Sequence, residues 1–235
     1  MINLLSELQK EVKQKSNIEK AKFLQRFFKT GKGDYAEGDV FAGLTNPISH
    51  KIAKKYFELT FTELTDLIKS KIHEERLIAL IILVNRFKKN KEEQEKIFKF
   101  YIKNKKYINN WDLVDLSAHK IVGCYLFEKD KSILTGLANS KNLWDRRISI
   151  ISTLYSISKG SFEQTLKIAD LLIADKQDLI HKAVGWMLRE IGKRDMKVLE
   201  KFLKNRYSIM PRTMLRYSIE KFEESKRQKY LKNKI

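Results

Sequence analysis

Apolar residues recur at helical spacing along nearly the whole chain. Leu4, Leu5, Leu8 and Val12 predict a first helix, and Ala21, Phe23, Leu24, Phe27 and Phe28 a second. A glycine-bearing loop follows from Thr30 to Asp39, and helix resumes near Pro47 through Lys55. Pro47 suits the first turn of that helix, because its missing N–H would be unpaired there in any case. The stretches Gln94 to Asn104, Ile133 to Ala138, Phe162 to Ala174 and Met196 to Lys204 carry the same period. With nine glycines and two prolines in 235 residues, tightly turned strands are not expected, and the fold class is all-α.

From Glu75 onward the helix openings form a repeat. Each has a cation or tryptophan just before or within an apolar run, at Arg76, Trp111, Arg147, Lys182 and Arg216, with spacings of 35, 36, 35 and 34 residues. That period predicts an α-solenoid of HEAT-like helix pairs, in which each unit buries its face against its neighbours. Stacked pairs of this kind curve, and the five markers would then line a basic concave groove. The expectation is one HEAT-like repeat domain over residues 1–235, clearest from about 75 to 222, with a charged tail at 223–235 that frays.

Charge narrows the function classes. Lysine and arginine number 48 against 29 acids, a net charge of +19 spread along the whole length. A field of that sign attracts a polyanion, either nucleic acid or an anionic membrane surface. The abundance of lysine, isoleucine and asparagine also fits an AT-rich genome, so part of the charge reflects composition. The apolar run Leu77 to Val84 is far shorter than the roughly 20 residues that span a bilayer. Residues 1–14 lack the unbroken apolar core of a signal peptide. Cys124 stands alone, which suits a reducing compartment. These features predict a cytoplasmic protein, in the cytosol or at the nucleoid of a bacterium.

Candidate chemistry lies in a few clusters. Trp111 and Asp115 are four residues apart and share a helix face. Asp112 reads best as a cap of that helix. A carboxylate such as Asp115 on the inner face of a basic groove would repel phosphates, unless it stabilises positive charge that develops in the ligand. Arg146 and Arg147 fall in a first helical turn, where the macrodipole disfavours cations unless an anion joins them. Pairing with Asp145 is the alternative. Lys182, Trp186 and Arg189 set an aromatic ring between two cations on one face, suited to a base, a sugar or a cationic lesion. Lys182, Arg212 and Arg216 continue the series of candidate DNA contacts. His50, His73, His119 and His181 have no ligand spacing, and no metal or cofactor is called for. Gly31-Lys32-Gly33 lacks the full phosphate-loop pattern.

Several of these stretches, in order, resemble the AlkD-type DNA alkylation repair proteins. They are Gly31 to Leu44, Lys51 to Tyr56, Asn110 to Asp115, Trp144 to Arg147, Gly185 to Glu190 and Pro211 to Tyr217. The resemblance implies a HEAT-like solenoid clasping duplex DNA, and a DNA glycosylase that releases N3- and N7-alkylated purines as the first step of base excision repair. It implies Asp115 as the catalytic carboxylate, Trp111 and Trp186 as the site tryptophans, and Arg147 as the phosphate ligand beside the lesion. His50 departs from the arginine of many relatives. Phe27 or Phe28 stands near where some members carry a tyrosine facing the lesion. The expected partner is duplex DNA containing alkylated purines, bound by a monomer with no protein partner and no membrane. A non-catalytic HEAT-like protein that binds damaged or structured DNA remains the alternative, and a protein-interaction scaffold a third.

Overall fold

A computed structural model describes residues 3–235, which divide into two compact units that meet between Ser117 and Ala118 in the chain. Among the described residues the regular structure is helical. Unit 1 contains α1 (Leu4–Lys15), α2 (Ile18–Gln25), α3 (Asn46–Lys55), α4 (Phe61–Ile68), α5 (His73–Lys89), α6 (Gln94–Asn104) and the start of α7 (Trp111–Ala118). Unit 2 contains a π-helical segment (His119–Gly123), α8 (Cys124–Leu126), α9 (Ser132–Ala138), α10 (Leu143–Ser152) and α11 (Leu154–Ser158). It continues with α12 (Glu163–Leu171), α13 (Asp178–Gly192), α14 (Met196–Lys204), α15 (Arg212–Ser218) and α16 (Glu224–Leu231).

Each unit is built on one buried helix. α5 is apolar on nearly every side, with Ile78, Leu80, Ile82 and Leu83 inaccessible, and α3, α4 and α6 pack around it. A helix apolar all round is stable only with neighbours on several faces. In unit 2 that place belongs to α13, whose Ala183, Val184, Met187 and Leu188 are buried and which packs on α10, α12, α14 and α15. Gly185 permits the close approach of α15: a Cβ there would lie 2.5 Å from Tyr217 Cβ and 2.6 Å from the Met214 carbonyl.

The internal repeat has a structural signature. The fourth residue of α5, α10 and α13 is Arg76, Arg146 and His181. Each turns back on the carbonyl six residues upstream, of Ser70, Ser140 and Asp175 respectively. The same side-chain bond thus closes the loop that enters three different helices. Two of the entries also share a sequence pattern, Ser-Lys at 70–71 and 140–141 with arginine six residues after the serine.

The loop from Thr30 to Asp39 is irregular, as its glycines predict, and it is fastened at its end. Val40 forms an isolated parallel bridge with Ile72, donating to Lys71 O at 3.1 Å and accepting from His73 N at 2.8 Å. Gly43 follows with φ +83°, and the buried Glu74 carboxylate accepts the amides of Ala42, Gly43 and Leu44 at 2.8, 2.8 and 3.1 Å. These contacts set Asp39 against the start of α5.

The charged end of the chain differs from its expected fraying. Residues Glu224–Leu231 form α16, capped by Glu223 and held by Tyr230, which is buried edge-on against Phe222 and Tyr207. One aromatic ring supplies the buried surface that the lysines and glutamates of this stretch lack.

Candidate active site

Trp111 opens α7. The Asn110 side chain accepts the Trp111 amide at 2.8 Å, so Asn110 rather than Asp112 meets the first free N–H of the helix. Asp112 is used differently, because its Oδ2 pairs with His73 Nε2 at 2.7 Å. The expected cap is present as well, since Asp112 Oδ1 accepts the Leu113 amide at 2.9 Å, and the bond to His73 adds a partner 39 residues away in the chain.

His73 is buried between two carboxylates. Its Nδ1 faces Asp39 Oδ2 at 3.3 Å, while Asp39 also takes Arg76 Nη2 at 2.7 Å and Asn110 Nδ2 at 3.0 Å. Burial by itself pushes the imidazole down, but the bonds to Asp112 and Asp39 more than offset this and raise its pKa to about 9. Burial likewise pushes Asp39 up, and His73, Arg76 and Asn110 reverse the sign, holding its carboxyl below the ordinary range.

An aromatic column stands beside these charges. Phe41 stacks on His73 with centroids 4.7 Å apart, Phe28 packs on Phe41 at 4.8 Å, and Trp111 stacks on Phe28 at 5.3 Å and 18°. Phe28 therefore faces the candidate tryptophan, while Phe27 is exposed and pairs edge-on with Phe23. Asp115 lies one turn beyond Trp111 and is half-buried. Its charge joins burial in pushing the enclosed Tyr101 hydroxyl up, and that hydroxyl is anchored on Ser117 Oγ at 3.1 Å.

The fifth residue of α7, α10, α13 and α15 is Asp115, Arg147, Lys182 and Arg216. Counted from the helix start, the position that carries a cation in three helices thus carries a carboxylate in α7. By chain spacing the α7 member of the series is Trp111, the first residue of α7 and not the fifth, so α7 begins four residues later relative to its marker than α10, α13 and α15 do.

A family model described as DNA alkylation repair enzyme matches residues 8–222. The chain belongs to this family. Among solved structures, a predicted DNA alkylation repair enzyme from Enterococcus faecalis is similar over 89% of this chain and 97% of its own, at 18% identity and a TM-score of 0.67. A Streptococcus mutans UA159 protein is similar over 94% and 99%, at 17% identity and a TM-score of 0.54. These likenesses show a shared all-α fold. No curated protein matches the chain.

The other candidate residues of this DNA alkylation repair family member lie in unit 2 and occupy three kinds of setting. Arg146 is internal: its guanidinium meets Asp175 at 2.6 Å and the carbonyls of Ser140 and Lys141 at 2.9 and 3.0 Å. Arg147 is 4% exposed and donates to Leu179 O, tying α10 to the first turn of α13. Arg189 pairs with Glu220 and keeps a buried Nε without a hydrogen-bond partner among the described residues. Lys182 is half-exposed and pairs with Asp178 at 2.7 Å along the helix. Arg212 and Arg216 are exposed, four residues apart on one face of α15. Trp186 is half-buried, one helical turn before Glu190. Burial pushes that carboxyl up, while Lys193, Arg194 and Trp186 together bring it below its ordinary value. Trp144 is buried, in keeping with a packing role beside Arg147.

Sequence reasoning missed Asp39, His73, Arg76 and Asn110 as a group. Their partners lie 34 to 71 residues apart, and no local spacing announces them. Among the described residues, no helix is long and apolar enough to cross a membrane.

Proposed function

We propose that this protein is a DNA glycosylase that hydrolyses the N-glycosidic bond of N3- and N7-alkylated purines in duplex DNA. The observation that carries the reading is Asp115: a half-buried carboxylate at the helix position where α10, α13 and α15 bear Arg147, Lys182 and Arg216. A carboxylate in that register opposes phosphate binding, and it is useful where positive charge develops in the substrate.

The chemistry needs one carboxylate. An alkylated purine is already cationic, so it leaves as a neutral base without a general acid, unlike the leaving group of ordinary glycoside hydrolysis. The sugar C1′ then gains oxocarbenium character. Asp115 stabilises that charge and orients the attacking water, while Trp111, one turn before it on α7, offers a π face to the cation.

The cations divide the remaining work. Arg212, Arg216 and Lys182 are accessible and take backbone phosphates. Arg146, Arg147 and Arg189 are spent on Asp175, Leu179 O and Glu220, and they hold the helix starts and faces on which those contacts depend. Placing Arg147 beside the lesion phosphate, as the family resemblance implies, would have it act from this buried setting at the start of α10.

The test is duplex DNA carrying N7- or N3-methylpurine, with chromatography of the released base. Native protein should release it, and Asp115→Asn should lose on the order of 100-fold or more of the rate while still binding the duplex. Equal release by the variant overturns the assignment of Asp115. Binding by the native protein without any release leaves a non-catalytic DNA-binding protein instead.

A further inference from the structure

We propose that His73 is a positioning residue: clamped between Asp39 and Asp112, it fixes the start of α7 and, through Phe41 and Phe28, the plane of the Trp111 ring. Only the catalytic consequence of this rests on the glycosylase reading; the clamp itself is a statement about Trp111.

Asn110, Trp111 and Asp112 each meet a different member of the cluster around His73. Asn110 caps the Trp111 amide with its Oδ1 and gives its Nδ2 to Asp39 at 3.0 Å. Asp112 Oδ2 accepts from His73 Nε2 at 2.7 Å. Between them, the indole of Trp111 lies flat on Phe28, which leans on Phe41 and on His73 at 5.1 Å. The ring has a backing of two phenyl groups, and the backing has a charged base. An aromatic wall that must meet a sugar cation loses its purpose if it tilts, since misplacement of about 1 Å can cost 100-fold in rate. Neither Phe28 nor Phe41 can fix itself by hydrogen bonding, so the imidazole at the foot of the column supplies the anchor.

The charged groups that face His73 are Asp39 from the loop before α3, Asp112 from α7 and Arg76 from its own helix, with Arg76 Nη2 at 3.5 Å. Two carboxylates against one guanidinium favour the imidazolium, consistent with a pKa raised to about 9. A cation between two carboxylates bonds both at once. A neutral imidazole donates from one nitrogen only, and one of the two carboxylates is left facing a lone pair. His73 starts from an ordinary value near 6.5 and is raised in the folded protein. The clamp is therefore whole below about 6.5 and is lost as the pH rises through about 9.

The experiment reads Trp111 directly, as the fluorescence difference between native protein and Trp111→Phe, followed from neutral pH through about 9. A step in that difference signal near 9 is expected for the native protein, and its absence in His73→Gln, with the fold of each variant checked by circular dichroism. A step of the same size and midpoint in His73→Gln overturns the proposal. If His73→Gln does not fold, Asp112→Asn removes one carboxylate and should move the step to lower pH; an unmoved step also overturns it. Release of methylated base, measured on the same samples, should fall across the same pH range in native protein and lose that step in His73→Gln. If native protein releases no base, the glycosylase reading fails while the fluorescence still decides the clamp.

Discussion

The Arg146 guanidinium meets the Asp175 carboxylate at 2.6 Å, and side-chain exposures of 15% and 6% place both groups out of bulk water. This pair links the entrance of α10 to the turn before α13, and the Ser140 and Lys141 carbonyls use the rest of the fork. A cation in a first helical turn, against the macrodipole, is thus explained by an internal acid.

Arg146→Ala should therefore act on stability before it acts on DNA. It takes the cation from a carboxylate that keeps the Gln177 amide at 2.8 Å, and a donor from two carbonyls, so a loss of about 2–4 kcal/mol is expected, read as a lower urea midpoint. The DNA affinity of the folded variant should stay close to native. A large loss of affinity with unchanged stability would show instead that Arg146 is a phosphate contact.

Arg212→Ala and Arg216→Ala should show the opposite pattern. Both side chains are exposed on α15, and their removal should leave the unfolding transition nearly unchanged. If each neutralises one phosphate, each substitution should flatten the dependence of log K on log salt by about 0.9. Gel shifts at several salt concentrations measure the slope, and unaltered slopes would remove α15 from the DNA surface.

Two glycines in helices should respond to alanine with opposite signs. At Gly185 a Cβ meets Tyr217 and the Met214 carbonyl at 2.5 and 2.6 Å, so Gly185→Ala should force α13 and α15 apart and cost about 1–3 kcal/mol. At Gly136, in α9, a Cβ meets nothing within 4 Å, so Gly136→Ala should gain up to about 1 kcal/mol from helix propensity. Thermal unfolding of the two variants, on either side of native, is the check. Because Trp186 follows Gly185 directly, the first variant should also perturb the site.

Much of the helical framework was legible. The spans Gln94–Asn104 and Met196–Lys204 follow from apolar residues recurring at helical spacing with polar flanks, and the structure has helices with those bounds. Pro47 stands in the first turn of α3, where its missing donor costs nothing. A period near 35 residues was readable because each helix pair must bury a similar face. Trp111 and Asp115 could be assigned to one face of α7 because four residues make about one turn.

What the tertiary structure decided is which polar group each candidate spends itself on. Arg76, Arg146 and Arg147 read as cations available to a polyanion, yet their guanidinium groups serve Asp39, Asp175 and Leu179 O. His73 read as a scattered histidine, and it became the centre of a clamp only when the Val40 bridge brought Asp39 to one side and α7 brought Asp112 to the other. The physical reason is range. Helical periodicity and charge are properties of neighbours in sequence and need only local geometry. Burial of a charge is tolerated only where a partner arrives, and that partner comes from a loop or helix tens of residues away, placed by the packing of the whole unit.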